Sequence, residues 1–225
     1  MCGRFTMHSR HRIKLKRSLV LDPACQARYN IAPSQQILAI ADFGKGIEPR
    51  MLTWGLIPSW STDGKGFINA RAETLEEKPS FSESFRLRRC LIPADGFFEW
   101  ERMGRSKRPF YFQLGDESQF VFAGIWDEWR SGEQLTNSCA IITTPANELV
   151  GELHDRMPAI LLHESQNAWL DPRTDRTMLT EMLKPFPSLM MKRYPVSSSV
   201  NSPDNDTPNL IARVDVEVGQ TLNLF

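Results

Sequence analysis

The chain has 225 residues, 41% of them hydrophobic and 10% aromatic, which is enough apolar material for an ordinary folded core and too much for a disordered chain. Its 27 Lys+Arg balance 27 Asp+Glu, which excludes a histone-like polycation. No apolar run approaches the roughly 18 residues that cross a bilayer, and no basic-then-apolar leader opens the chain, so a cytoplasmic location is expected.

Residues 6–19 have the charge and length of a short surface helix, with Ile13, Leu15 and Leu19 as its apolar anchors. After Asp22-Pro23 the texture becomes strand-like, in "QQILAIADF", "RMLTWGLIP", "RCLIPADGFFEWER", "PFYFQL", "QFVFAGIWDEW", "NSCAIITT" and "MPAILL". These runs are rich in Ile, Val, Phe and Trp and are separated by Gly, Pro, Asn and Ser. Helical texture also occupies 71–86, 147–153, 164–170 and 174–184, with Pro79 interrupting the first of these and Pro185 ending the last. The stretch 197–209 is a polar, proline-punctuated loop, and the final "LIARVDVEV" is expected to return as a strand. Many strands without regular βαβ alternation predict an α+β fold, a single domain over 1–225 with a mainly antiparallel β-rich core and a few peripheral helices.

Charge is unevenly distributed. Residues 1–113 hold 19 Lys+Arg against 11 Asp+Glu, and residues 114–225 hold 8 against 16, so one half can face a polyanion. The four cysteines, Cys2, Cys25, Cys90 and Cys139, are scattered without metal-ligand spacing, which argues against a zinc site or a disulfide framework. The last three read as small buried hydrophobes. Cys2 differs, because loss of Met1 leaves its thiol and a free α-amine on one residue.

Three further places set polar groups inside apolar sequence, where burial is costly unless the groups are used or paired. In "GFINARAET", Asn69 and Arg71 are two apart and share one face of a strand, either as a polar edge or as functional groups. In "ADGFFEWER", Glu99 lies between aromatic residues, which suits proton transfer at a raised pKa or pairing with an arginine. In "LHDRMP", His154 precedes Asp155 and Arg156 and can titrate near physiological pH or merely decorate a turn. A nucleophile, an amide, an acid/base, an imidazole and the arginines Arg4, Arg71 and Arg156 together fit electrophile capture beside a phosphate.

The stretches "MCGRF" (1–5), "RYNIAPSQ" (28–35), "WGLIPSW" (54–60), "INARAET" (68–74), "CLIPADGFFEW" (90–100), "IITTPAN" (141–147), "LHDRMPAIL" (153–161) and "YPVSSSVN" (194–201) resemble, in order from end to end, the SOS-response-associated peptidase (SRAP) family. That resemblance implies a β-rich fold with a basic groove for single-stranded DNA, and a monomer that needs no cofactor, metal or membrane. It implies that Cys2, as the N-terminal residue, captures abasic sites in single-stranded DNA as a covalent thiazolidine, with Asn69, Glu99 and His154 completing the active site. Arg4, Arg71 and Arg156 match phosphate-holding positions, and Pro33, Trp60 and Thr143 match groove contacts. The family also suggests weak lyase activity at abasic sites, removal of Met1 by the chain itself, and nucleoid association when bound to DNA. A cysteine peptidase acting on peptides uses the same residues and is the alternative. Two departures stand out: Trp60 is followed by Ser61 where a bacterial member has a second tryptophan, and 201–209 lacks the family's Asn-rich pattern.

Overall fold

β-Branched and aromatic runs bounded by turn residues become strands throughout the computed structural model of the protein, which describes residues 3–9, 12–15, 18–20 and 27–215. The strands are β1 (Phe5–Met7), β2 (Arg12–Lys14), β3 (Ser18–Val20), β4 (Arg28–Ile31), β5 (Gln36–Asp42), β6 (Ile47–Trp54), β7 (Asn69–Arg71), β8 (Arg89–Ala94), β9 (Gly96–Met103), β10 (Ser106–Leu114), β11 (Phe120–Ser131), β12 (Gln134–Pro145), β13 (Arg156–Pro158), β14 (Ile160–Leu161) and β15 (Met191–Pro195). Four short helices intervene: α1 (Ser82–Leu87), α2 (Glu148–Gly151), α3 (Gln166–Leu170) and α4 (Arg176–Met182). The fold is α+β, with a mostly antiparallel β-rich core.

In the larger sheet β12, β6, β5, β8 and β11 follow side by side, and β11 pairs back onto β12, so these five strands close on themselves. The smaller sheet has the order β15-β10-β9-β1-β4. Phe5, Phe97 and Phe112 on its inner face join Trp54, Phe122 and Ile141 of the larger sheet in one buried cluster. The other face of the small sheet buries Phe98 and Tyr111 beneath Val196, Val200 and Leu210. On the far side of the larger sheet, Phe85, Trp169 and Leu179 bring α1, α3 and α4 against Leu91, Ile125 and Ile142. Arg89 pegs those helices, donating from Nη1 to the Phe85 and Arg86 carbonyls, from Nε to Trp169 O and from Nη2 to Asp171 O, at 2.7–2.8 Å. A buried cation thus satisfies the carbonyls that the ends of α1 and α3 leave open.

Two expectations are corrected. Residues 6–19 form no helix where they are described: β1 joins the small sheet, and β2 and β3 pair as an antiparallel hairpin. The two-residue spacing of Ile13 and Leu15 has the period of a strand, and the basic charge that suggested an exposed helix carries no helical periodicity. Where it is described, the final stretch does not return as a full strand either. Pro208–Ile211 is a 3-10 turn, Arg213 makes a single bridge to Val196, and residues beyond 215 lie outside the described region. Among the described residues no helix is long and apolar enough to cross a membrane, and no group of three or more His, Cys, Asp or Glu could hold a metal ion.

Candidate active site

β1 runs antiparallel to β9, with Phe5 opposite Phe97 and Thr6 opposite Gly96. The Phe98 N–H donates to the Arg4 carbonyl at 3.0 Å, carrying the register outward, and one further step brings Gly3 level with Glu99. Cys2, the expected nucleophile, lies outside the described residues. The strand leading to it is held at buried points. The Thr6 and Tyr111 hydroxyls hydrogen-bond at 2.7 Å. Gly96 makes this possible, since a Cβ there would lie 2.3 Å from the Tyr111 ring. Past β1, the buried Asp95 carboxylate accepts the His8 and Ser9 N–H groups.

Glu99 is 3% exposed on β9, opposite Phe110 of β10. Burial pushes its carboxyl pKa up, while the charge of His154 and the Trp100 N–H pull it partly back. Glu99 and His154, 55 positions apart in sequence, are therefore within electrostatic reach of each other. His154 follows α2, whose cap Asn147 accepts the Val150 N–H at 2.9 Å. Its Nδ1 accepts the Arg156 N–H at 2.9 Å, which puts the hydrogen of the neutral ring on Nε2. An Asp155 oxygen also lies 2.9 Å from Nδ1, a contact favourable only to a ring protonated there.

Asn69 and Arg71 stand on β7 as alternation predicts, flanking the buried Ala70. β7 pairs in parallel with β12, placing Asn69 opposite Ile141 and Arg71 opposite Thr143. Arg71 is exposed, whereas Thr143 is fully buried and its carbonyl accepts Nη2 of Arg156 at 2.5 Å. Arg156 also grips Glu73 in a two-pronged pair, Nη1 to Oε1 at 2.5 Å and Nη2 to Oε2 at 2.9 Å. That hydrogen bond holds the Glu73 carboxyl below its ordinary range, against the opposing effect of its partial burial. Arg156 is thus buried and engaged inside the protein.

Arg4 is also turned inward. Its Nη1 donates to Asn30 Oδ1 and to the Val200 carbonyl, both at 2.7 Å, and burial lowers its pKa. Asn30, itself fully buried, donates from Nδ2 to the Ser202 and Asn205 carbonyls at 2.9 and 2.7 Å. Asp206 pairs with Arg28, and Trp100 Nε1 donates to Asn201 Oδ1 at 2.7 Å. The polar loop 197–209 is therefore a strap fastened over β1, β4 and β9.

Trp60 is 61% exposed, with its Nε1 3.4 Å from the Pro79 carbonyl. The turn beneath it is fixed: Asp127 accepts the Ser59 N–H at 2.9 Å, Ser138 Oγ accepts the Ile57 N–H at 2.8 Å, and Trp129 Nε1 donates to the Ser61 carbonyl at 2.7 Å. Pro33 occupies a separate tight turn, in which Ser34 takes φ 69° and donates to the Trp54 carbonyl at 2.8 Å.

Glu99 and His154 thus lie within electrostatic reach of each other, Asn69, Arg71, Thr143 and Arg156 stand along the neighbouring strands β7, β12 and β13, Trp60 is on the turn after β6, and Pro33 is on the turn before β5. Sequence reasoning missed Glu73, Asn30 and Asp127. Glu73 sits inside the quoted "INARAET" but gives no sign there of its partner 83 positions away. Asn30 and Asp127 look like ordinary strand polar residues until their burial is known.

These features are those of a β-rich α+β protein that carries a buried carboxyl on β9 within electrostatic reach of an imidazole. The chain belongs to the SOS response associated peptidase (SRAP) family, which it matches over residues 1–203. It is 43% identical over 221 residues to "Abasic site processing protein YoqW" of Bacillus subtilis (strain 168), covering 94% of this chain and 99% of that one. It is 31% identical to "Abasic site processing protein HMCES" of Xenopus tropicalis, covering 84% of this chain and 67% of that protein. A crystal structure of a protein from Bacteroides thetaiotaomicron superposes with a TM-score of 0.76 at 33% identity, covering 83% and 85% of the two chains.

Proposed function

We propose that this protein processes abasic sites in single-stranded DNA by covalent capture at Cys2. The observation that carries the reading is the β1–β9 register, which brings Gly3 level with the buried Glu99, with His154 in electrostatic reach. Cys2 follows Gly3 directly in sequence, and consecutive Cα atoms are 3.8 Å apart, so the reading requires no long reach from β1 to the acid/base pair.

An abasic sugar in its open form carries an aldehyde at C1′. Once Met1 is removed, the α-amine of Cys2 attacks that carbon, its ordinary pKa of about 7.7–8.0 leaving part of it neutral near pH 7. Loss of water gives the Schiff base. The Cys2 sulfur then bonds to the same carbon, and the thiol proton passes to the imine nitrogen, closing a five-membered thiazolidine. Both nucleophiles belong to one residue, so closure is intramolecular, where effective molarities of about 10⁵–10⁸ M are reached. Glu99, protonated more readily than an ordinary glutamate, exchanges protons with the amine and the carbinolamine. His154 donates from Nε2 to the sugar oxygen as the ring opens. Asn69 orients the sugar or the chain terminus, Arg71 meets the phosphate, and Trp60 offers a face for base stacking. β-Elimination from the Schiff base would give weak strand cleavage in competition with closure.

The test is incubation with single-stranded oligonucleotides with and without an abasic site, followed by denaturing electrophoresis, with Cys2→Ala as control. A denaturation-resistant adduct confined to the abasic strand and lost in Cys2→Ala supports the reading. Peptide cleavage without any adduct would replace it with the peptidase alternative.

A further inference from the structure

The outer half of the β9–β10 hairpin carries Arg102, Arg105, Lys107 and Arg108 within nine residues, "ERMGRSKRP" (101–109), around a turn where Gly104 takes φ +60°. The pairing register sets Arg102 directly opposite Lys107. Like charges facing each other across an antiparallel pair destabilise it, so this arrangement breaks a local rule of sheet construction. Such breaks concentrate where function requires them.

Few carboxylates balance the charges at this tip. Arg28, Arg50, Arg88, Arg176, Arg193 and Lys192 each hold a carboxylate. At the tip only Arg108 does, with Glu101 at 3.6 Å. Arg102, Arg105 and Lys107 are exposed and have no ion-pair partner among the described residues.

Topology gives the tip its address. β1 pairs with β9 at Phe97 and Gly96, and the β9–β10 hairpin runs on beyond that pairing, past Glu99, to its tip. Arg102 lies three residues past Glu99 and Gly104 five, which at about 3.3 Å per residue is roughly 10–17 Å. One strand of nucleic acid advances about 3.4 Å per nucleotide along a duplex axis, so that span corresponds to about three to five nucleotides.

We propose that the β9–β10 tip is a second phosphate-binding element, in which Arg102, Arg105 and Lys107 grip the DNA backbone about three to five nucleotides from the captured residue. The proposal rests on the DNA reading given above, and the experiment separates the two.

The probe is a fluorescent single strand with a central tetrahydrofuran, an abasic analogue without an aldehyde, made with about two or about eight flanking nucleotides on each side. Wild type and the triple variant Arg102→Gln, Arg105→Gln, Lys107→Gln are titrated with both from about 50 to 200 mM salt. On the long strand the variant is expected to bind roughly tenfold more weakly at low salt. Its slope of log K against log salt should be shallower by about 2, at about 0.7 per neutralised phosphate. On the short strand the two proteins should bind alike and should crosslink a short aldehyde-bearing strand equally. Equal affinity on the long strand, or an equal loss on both, overturns the proposal. The substituted positions are exposed and the change removes facing like charges, so matched thermal midpoints are expected and verify that the variant folds. The underlying reading stands or falls on wild-type crosslinking alone, and its failure would remove this proposal with it.

Discussion

Replacing Glu99 with Gln tests whether the carboxyl is there for chemistry or for structure. Glu99 is almost fully buried, and burial raises its pKa from the ordinary 4.5 despite the opposing pull of His154 and the Trp100 N–H. A raised folded-state pKa means that the native protein binds this proton more tightly than the unfolded chain does. Its contribution to stability is therefore full below about pH 4.5, declines as the pH rises through the folded value, and leaves a net cost at neutral pH. Gln has the same shape and no charge, so it avoids that cost. Each tenfold by which the fold favours the protonated carboxyl amounts to about 1.4 kcal/mol. In a chain of this size that raises Tm by about 3–5 °C. Thermal unfolding of both proteins between about pH 4 and pH 8 should show Glu99→Gln more stable at neutral pH, with the gap closing toward acid. The rate of adduct formation at neutral pH should fall in the same variant. A variant less stable than wild type at neutral pH would refute the reasoning, because it would mean that ion pairing of the Glu99 carboxylate outweighs its burial.

Glu73→Gln removes an anion from beside Arg71 and Arg156, so DNA affinity should rise while stability falls by about 1–3 kcal/mol from the weakened charged hydrogen bonds; a binding titration and a melting curve measure both, and a fall in affinity would make Glu73 the residue that positions Arg156. Trp60→Ala should leave the melting temperature nearly unchanged, because the indole is 61% exposed, while costing the roughly 1–3 kcal/mol that stacking on a base contributes, which anisotropy titration with single-stranded DNA would detect. Gly96→Ala drives a methyl into the Tyr111 ring, breaks its contact with Thr6, and should slow adduct formation although no reacting group is touched; amide exchange of the Phe98 N–H, bonded to the Arg4 carbonyl, should accelerate in parallel.

Strands were legible wherever β-branched and aromatic residues ran between turn formers, as in β5, β8, β11 and β12, because those runs carry their burial in their composition. Of the candidate site, the placement of Asn69 and Arg71 was legible, because they alternate on β7 as their spacing requires. Misreading 6–19 as a helix has a physical origin, since three-residue strands such as β1 are too short to show a period and take their conformation from the partner strand. Glu73, Asn30 and Asp127 escaped for a related reason. Each is defined by a contact across many residues of sequence, and local sequence carries no record of it.

The first residues of most domains fray unless something ties them down. Ordering each backbone residue costs about 1–2 kcal/mol. Three independent anchors offset that cost for β1, namely Tyr111 on Thr6, Asp95 on the His8 and Ser9 N–H groups, and Arg4 on Asn30 and Val200. They draw on β10, the β8–β9 junction, β4 and the 197–209 strap, so β1 is fixed by parts of the chain nearly 200 positions away. Arg4 holds the strand through its Nη1, which is shared between two internal acceptors. The strap, whose composition resembles an ordinary surface loop, belongs to the site through that arginine.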